Sequence, residues 1–517
     1  MISRLFSLVF VLMVAGCLSE SDSHCEAERN VGDGGTFLAP EIVPSPVEMT
    51  IDGSEMTDLE KVAIAVRCCE TNAAAWVESH FKNWFGSVGA VSHEAYDGHP
   101  AANEAAFRLA VKPTSVVLSA RTALGIKYAA YALRQAAMPK RGTLKTMGWI
   151  VPSLRISDKP KFGFRGMHVC WTPERDEKHI ERLIRMAAYY RFNYVVIEPW
   201  GTYRSEKFPW YGWRDAPMDA AAIGRLRKVA EDVGTTLVPQ LNVYGHATGS
   251  RSRSGKHCVL DVHPEYAPLF EPRGGWNWCL SNSETLKVQE ELIDEMLTLF
   301  GNPPYFHIGC DEAERPSCPS CAVGSYNRLF FSHVLKLHAF LAGRKVKVLM
   351  WHDKLLDAED SVWCDWCAHG DAESERLALE LLPRDVGICY WCYGNRGPVD
   401  GDYPLAGHFV GAGFPTIMVP WHGPVGIRAM ADYSQKSGVS GFLGSTWAVT
   451  DAFPLADSYS CTACAAWGTP FTPGVGSGER TLFAAHWRQI ARDAGADGYA
   501  EAGFIDNQMF WRTPADN

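Results

Sequence analysis

The sequence predicts an α/β chain, a (β/α)8 TIM barrel preceded by a small α+β domain. Three observations lead there. From Gly163 onward, short apolar runs alternate with amphipathic helical segments, and eight such pairs can be counted. Before Lys159 the strand and helix segments follow one another irregularly. Polar and aromatic residues gather just after the apolar runs, where parallel α/β folds carry their ligands. The alternation alone would also allow a doubly wound sheet; the count of eight prefers the barrel.

The chain has 517 residues, enough for a large core and two domains. A net charge of −10 gives no basic surface for nucleic acid. Eighteen tryptophans are many for this length and favour a carbohydrate site, because sugar rings stack on indole faces. Residues 1–16 read as a signal peptide: the apolar run Leu5 to Val14 is too short to span a bilayer. Val14-Ala-Gly-Cys17 resembles a bacterial lipobox, which implies lipid on Cys17 and anchoring to a bacterial membrane, at the outer membrane or the periplasmic face; ordinary signal-peptide cleavage is the alternative. Residues 17–36 are a polar, acidic tether.

Residues 37–160 form the small domain. Strands are expected at 62–66 and 107–111, and helices at 73–85 and 122–136, the second with Ile126, Ala129, Ala130 and Leu133 on one face. Residues 161–517 form the barrel. Its strands are expected at 164–169, 194–197, 236–241, 305–309, 346–351, 387–391, 416–419 and 441–446. Thr172-Pro173 reads as a helix start, followed by a stripe of Ile180, Leu183, Ile184 and Ala187. Further helices are expected at 218–233, from a Ser283 cap, at 326–341 and 372–382, near Leu405 and Ile427, and at 482–494.

The residues just beyond these strands share one mouth: Glu198, Asn242, His246, Asp311, Glu312, Trp351, Trp391, Trp421 and Trp447. Asp311 and Glu312 close the run Tyr305-Phe-His-Ile-Gly-Cys310. Side chains alternate along a strand, so adjacent acids share a cleft only where the chain already turns, which Gly309 permits. Taken alone, such a pair would more often cap a helix and begin its first turn.

His307-Ile-Gly-Cys-Asp-Glu312 resembles the His-x-Gly-Gly-Asp-Glu motif of family 20 glycoside hydrolases, the β-N-acetylhexosaminidases, with Cys310 at the second glycine. Gly125-Ile-Lys-Tyr-Ala129 resembles the Gly-x-x-Tyr-Ala helix of that family's first domain. Leu237-Val-Pro-Gln-Leu-Asn-Val-Tyr-Gly-His246 is similar to its Val-Ile-Pro-Glu-Ile-Asp-x-Pro-Gly-His, with Gln240 and Asn242 replacing two acids. The resemblance implies exo-acting release of terminal β-linked N-acetylhexosamine, without a cofactor. The sugar's acetamido oxygen attacks the anomeric carbon, so no enzyme nucleophile is needed. Asp311 would orient the acetamido group and stabilise the oxazolinium; its charge favours the protonated form of Glu312, which would donate to the leaving oxygen. His246 would join the acid network. Trp351 in Met-Trp-His-Asp, Trp391 and Trp447 would wall the acetamido pocket, and Tyr393 or Trp421-His422 would replace the family's acetamido-binding tyrosine. Of the family's Arg-Gly-x-x-x-Asp-x-x-Arg, whose last Arg binds sugar hydroxyls, Arg165-Gly166 remains while Cys170 and Pro173 hold the later positions. Arg165 is retained as a substrate-binding candidate.

Two other functions fit the residues. A retaining glycosidase could use Glu198 as a covalent nucleophile opposite Glu312, at roughly 5 Å. A glycan-binding protein could use the same mouth without turnover. Four CxxC pairs, Cys318/Cys321, Cys364/Cys367, Cys389/Cys392 and Cys461/Cys464, read either as structural zinc ligands or as disulfides pinning loops.

Overall fold

The eight apolar runs beyond Gly163 form one closed parallel sheet in the computed structural model of the chain. The structure describes residues 40–99, 103–140, 148–172, 175–212, 216–248, 259–272, 275–360, 367–393, 403–447, 452–471 and 478–495. The signal peptide, the tether, Pro173 and Cys364 lie outside these residues. Residues from Glu41 on make one compact unit.

The first sheet holds seven strands: β1 (Glu48–Asp58), β2 (Ala63–Arg67), β3 (Val91–Glu94), β4 (Phe107–Lys112), β5 (Ser115–Ser119), β6 (Met138–Pro139) and β7 (Trp149–Asp158). Their order is β1-β7-β4-β5-β2-β3, with β6 beside β7. In β4 the alternation is direct: Phe107, Leu109 and Val111 are buried, while Arg108 and Lys112 face water. Two helices, α1 (Asn72–Phe85) and α2 (Ala123–Ala136), pack on this sheet. Thr122 caps α2 by accepting from the Gly125 N–H at 3.2 Å. The predicted stripe Ile126, Ala129, Ala130 and Leu133 is wholly buried.

The barrel strands are β8 (Phe164–Trp171), β9 (Tyr194–Pro199), β10 (Thr236–Pro239), β11 (Tyr305–His307), β12 (Lys347–Trp351), β13 (Gly387–Trp391), β14 (Thr416–Val419) and β15 (Gly441–Ser445). Each pairs in parallel with its sequence neighbour, β15 returns to β8, and the Gln240–His307 bridge joins β10 to β11. This closed, sequential order excludes the doubly wound sheet. Strands β8, β13 and β15 are buried along their whole length, as expected for strands covered on both faces.

The barrel's helices are α3 (Glu177–Tyr189), α4 (Ala220–Val233), the single turn α5 (Val259–Val262), α6 (Ser283–Leu299), α7 (Tyr326–Ala342), α8 (Ala372–Leu381), α9 (Pro404–Gly411), α10 (Pro424–Ser434), α11 (Ala452–Trp467) and α12 (Gly478–Asp493). Three differ from expectation. The cap of α3 is Asp176, whose carboxylate accepts from His179 N–H at 2.7 Å, not Thr172, which follows directly on β8. Helix α6 is capped by Asn282 rather than Ser283. Helix α11 is absent from the sequence prediction because it packs on β8, β15, α10 and α12, and so shows no single apolar stripe.

Two of the cysteine pairs lie in or directly beside the elements themselves rather than in loops beyond them. Cys389 lies inside β13, Cys392 follows that strand directly, and Cys461 and Cys464 lie one turn apart on α11. Cys367 precedes α8; its expected partner, Cys364, is outside the described residues. Cys367, Cys389, Cys392, Cys461 and Cys464 are all buried in the hydrophobic core. Among the described residues, none of the five belongs to a cluster of three or more side chains suited to a metal ion. For Cys389 and Cys392 a disulfide meets a geometric limit. Three residues of extended chain separate their Cα atoms by about 10 Å, beyond the roughly 7 Å a disulfide can bridge. These thiols fill core space as small apolar groups.

The small sheet is tied to the bottom of the barrel by polar contacts without water access. Asp158, at the end of β7, pairs with Arg191 at 2.9 Å with both side chains fully buried, and accepts from Trp467 Nε1 at 2.8 Å. Leaving either charge unpaired there would cost about 3–5 kcal/mol.

Buried neutral histidines set an acid limit on this core. Burial holds His333 at about 4 and His486 at about 3, against an ordinary 6.5. The folded imidazoles thus bind protons less readily than the unfolded ones. Stability is complete above about pH 6.5 and falls as pH drops through that value toward the folded values. The thermal midpoint is expected to fall between pH 7 and about pH 5. His333→Gln and His486→Gln should flatten that slope; equal slopes in all three proteins would remove these groups from the acid limit.

Candidate active site

The site begins where β11 ends. Gly309, Cys310 and Glu312 all take left-handed backbone conformations, with φ of 68°, 80° and 46°. This turn, rather than a strand, lets neighbouring acids face one cleft. No helix follows directly: α7 starts fourteen residues later, capped by Ser325, so Asp311 and Glu312 are not a helix cap and first turn. Gly309 also has no room for a side chain, since a Cβ would lie 2.1 Å from Asn242 Oδ1. At Cys310 the left-handed backbone explains why the resembling motif carries glycine, and the buried thiol sits 3.6 Å from the Ile308 carbonyl.

His246, at the loop after β10, stands between the acids. Its Nε2 is 3.3 Å from Asp311 Oδ2 and 3.4 Å from Glu312 Oε2. The Asp311 side chain is 7% exposed and that of Glu312 48%. Asp311 Oδ1 is buried and, among the described residues, has no hydrogen-bond partner. Trp276 packs on His246, ring centres 4.1 Å apart, and donates from Nε1 to the Glu312 carbonyl at 2.8 Å. A Cβ on Gly245 would meet the Asp311 carbonyl at 2.1 Å, so this loop lies directly on the acid turn.

Asp353 and His369 belong to the site and were not singled out from the sequence. Asp353 Oδ2 accepts from the Glu312 N–H at 2.7 Å and pairs with His369 Nδ1 at 2.9 Å. Burial pushes the Asp353 carboxyl up, against the pull of His369. Burial alone would lower His369, but the hydrogen bond and charge of Asp353, joined by the charges of Glu312 and Asp311, hold it above its ordinary range. The strand-end rule that marked Trp351 marks Asp353 two residues later; His369 has no local signal.

Under the cleft lies a polar floor. Asn242 Nδ2 donates to Glu198 Oε1 at 2.8 Å and Gln240 Nε2 to Asn242 Oδ1 at 3.0 Å. Glu198 Oε2 lies 3.1 Å from His168 Nε2 and 3.8 Å from the Cys170 thiol. Glu198 and Asn242 are each only 1% exposed, so they brace the cleft from below rather than line it.

Aromatic residues form the opposite wall. Trp351, fully buried, touches His168, His307 and Trp447. Trp391 stacks on Tyr393 at 5.5 Å, and Tyr393 meets Trp421 at 5.4 Å. Trp447 Nε1 donates to the Tyr393 hydroxyl. Burial, with the Asp311 charge adding to it, pushes the Tyr393 phenol far up. Arg165 stands apart. It lies at the start of β8, the far end of the barrel, donating to the Arg191 and Phe162 carbonyls at 3.1 and 2.9 Å and to Tyr128 Oη at 3.2 Å. It joins the two domains and reaches no substrate.

The strained turn yields a test. Cys310→Gly relieves a left-handed backbone and should keep the thermal midpoint, whereas Cys310→Val should cost about 1–3 kcal/mol and lower it. Equal midpoints for the two variants would show that the turn carries no strain.

No protein-family model matches the chain. Over 322 residues it is 28% identical to a β-hexosaminidase of Vibrio furnissii, covering 52% of this chain and 48% of that protein. The chain therefore spans about half the length of this curated relative. Its structure is similar to the chitobiase of Flavobacterium johnsoniae (TM-score 0.64, 16% identity, 88% of this chain and 73% of that one). It is similar also to the family 20 exo-β-N-acetylglucosaminidase of Vibrio harveyi in complex with N-acetylglucosamine (TM-score 0.64, 17% identity, 90% and 80%). A third is the β-N-acetylhexosaminidase of Bacteroides fragilis (TM-score 0.63, 18% identity, 88% and 99%). At these identities the likeness establishes a shared fold, the (β/α)8 barrel with a separate α+β domain.

Proposed function

We propose that the chain is an exo-acting β-N-acetylhexosaminidase that releases terminal β-linked N-acetylhexosamine from glycans, with retention, by substrate assistance. The observation that carries this reading is Asp311 Oδ1, a buried carboxylate oxygen with no donor among the described residues. Such an atom is costly unless a ligand supplies a donor, and an acetamido N–H is a donor of the right kind. The sugar would then lie between the acids and the aromatic wall. Its acetamido oxygen attacks the anomeric carbon and the glycosidic bond breaks. Asp311 holds the N–H and balances the positive oxazolinium. Glu312, the more exposed acid, protonates the departing oxygen and then takes a proton from the water that opens the ring. His246, between the two, holds them in one network. Tyr393 hydrogen-bonds the acetamido oxygen, while Trp351, Trp391 and Trp447 enclose the methyl group.

The covalent alternative loses its nucleophile. Glu198 is 1% exposed, with its carboxylate oxygens placed against Asn242, His168 and Cys170. It cannot reach an anomeric carbon without dismantling the floor. We further propose, from the Leu5–Val14 run and Val14-Ala-Gly-Cys17, that the protein is exported and lipid-anchored to a bacterial membrane. Cys17→Ser should then move it from the membrane fraction to the soluble fraction; an unchanged distribution would remove the anchor.

The function is tested with nitrophenyl β-N-acetylglucosaminide and β-N-acetylgalactosaminide beside the plain β-glucoside and β-galactoside. Turnover should be confined to the acetamido sugars. Glu312→Gln and Asp311→Ala should each lower kcat by at least about 10²-fold, the scale of a lost acid or charge stabiliser. Hydrolysis of plain glycosides that survives Asp311→Ala would overturn substrate assistance.

A further inference from the structure

Beside the cleft, the loops after β10 and β11 meet at a second cluster of side chains. Glu271 and Cys279 come from the first loop, Cys318 and Cys321 from the second. One ligand atom of each lies within 4.8 Å of all the others. Cys279 Sγ is 3.7 Å from Cys318 Sγ and 3.6 Å from Cys321 Sγ. Sulfurs at about 2.3 Å from one tetrahedral zinc ion stand about 3.8 Å from each other, so the triangle already has the spacing a zinc ion imposes. A disulfide needs about 2.05 Å, and three cysteines cannot pair off evenly. All three are free cysteines in the structure.

The fourth member has the character of a ligand. Glu271 is 3% exposed. Its Oε2 is held in place by the N–H groups of Ser317 at 2.9 Å and Cys318 at 2.6 Å. Among the described residues, its buried Oε1 meets no N–H or O–H donor and no lysine or arginine pairs with the carboxylate, which faces the Cys321 thiol. A buried carboxylate needs a cation or donors for both oxygens; here the three sulfurs surround the place where a cation would sit.

An outer contact fits a thiolate as well. The Ser281 hydroxyl donates to Cys321 Sγ at 3.0 Å. Such a donor spreads thiolate charge in a closed metal site.

We propose that Glu271, Cys279, Cys318 and Cys321 bind one structural zinc ion through three thiolates and one carboxylate oxygen. Zinc accepts this mixed sulfur and oxygen set in tetrahedral geometry, whereas a soft cuprous ion would not favour the carboxylate. Binding releases the thiol protons to solvent. The ion would fasten the segment after Glu312 to the loop that carries Trp276 and His246. Asn277, between Glu271 and Cys279, already reaches across that joint: its Nδ2 donates to the Glu314 carbonyl at 2.7 Å and its Oδ1 accepts from the Glu314 N–H at 3.2 Å. Only the catalytic consequence of this clamp, a held Glu312, rests on the proposed hydrolase activity; the site itself does not.

The test is the metal content of the full purified protein by mass spectrometry, with X-ray absorption at the zinc edge. Wild type should carry zinc, including an ion with three sulfurs near 2.3 Å and one oxygen near 2.0 Å. Cys279→Ser and Glu271→Ala should each contain one equivalent less zinc than wild type and show a lower thermal midpoint, while Cys69→Ser, at an exposed position, should keep the full amount. Should the variants fail to fold, the absorption spectrum of wild type decides alone. Metal-free wild type, iron in place of zinc, an unchanged zinc count in folded Cys279→Ser, or a Cys318–Cys321 disulfide in the alkylated, unfolded protein would each overturn the proposal.

Discussion

Two neighbouring carboxylates can work on one substrate only if the backbone between them abandons the strand. The left-handed conformations at Gly309, Cys310 and Glu312 make that departure, and the non-glycine ones are costly by about 1–3 kcal/mol each. Much of the surrounding structure can be understood as holding them. Trp351 N–H donates to the Gly309 carbonyl, Asp353 accepts from Glu312 N–H, and Trp276 donates to the Glu312 carbonyl. Gly245 lets the preceding loop lie against Asp311. The contacts come from β12 and the turn just after it, and from the loop after β10; β12 and β10 flank β11 in the barrel. The turn is over-determined by the barrel around it.

The same dependence explains why the centre of this barrel is polar. A cleft with a buried carboxylate needs a floor that tolerates charge. Gln240, Asn242 and Glu198 supply it as a relay of hydrogen bonds, with His168 Nε2 3.1 Å from the Glu198 carboxylate. Where the resembling family places acids at positions 240 and 242, amides stand here. With Glu198 and Asp311 already nearby, two further buried carboxylates would each need a cation; amides keep the hydrogen bonds without that demand.

How far the sequence could be read follows from where the physics is local. Strands β13 and β14 fall on their predicted bounds because continuous apolar runs bounded by turns describe a fully covered strand. Helix α11 could not be read, since burial on several sides erases the stripe that marks a helix. Thr172-Pro173 carried a valid local cap signal, but the cap that forms is Asp176. Asp311, Glu312 and His246 were legible through their motifs. Asp353 sat within a quoted motif, hidden behind its tryptophan. The CxxC spacing falls on a strand end at Cys389 and Cys392 and on a helix at Cys461 and Cys464, not on the loops the sequence suggested. His369 and Glu271 have no spacing to betray them, and Cys279 lies outside the CxxC pair it completes; only the folding of separate loops brings them to their partners. Arg165 shows the converse. Its motif was real, but the first residues of a barrel strand lie at the end opposite the site, so its guanidinium serves the joint between domains.

The two sides of the cleft are built from different forces, and this bears on how each can vary. The acid side depends on directional contacts, in which His246 stands within 3.4 Å of both carboxylates and Asp353 fixes Glu312 through its backbone. A small displacement there misplaces a proton, and such errors cost rate steeply. The aromatic side depends on contact area and on stacking, which tolerates shifts of orientation. Trp391, Tyr393 and Trp421 can therefore adjust to a sugar's shape while the acids cannot. In a chain this far from its relatives in sequence, the acid turn should be the part that keeps its geometry, and the wall and the sugar-hydroxyl contacts the part that changes. The loss of the motif's later arginine position to Pro173, beside an intact Asp311 and Glu312, follows that division.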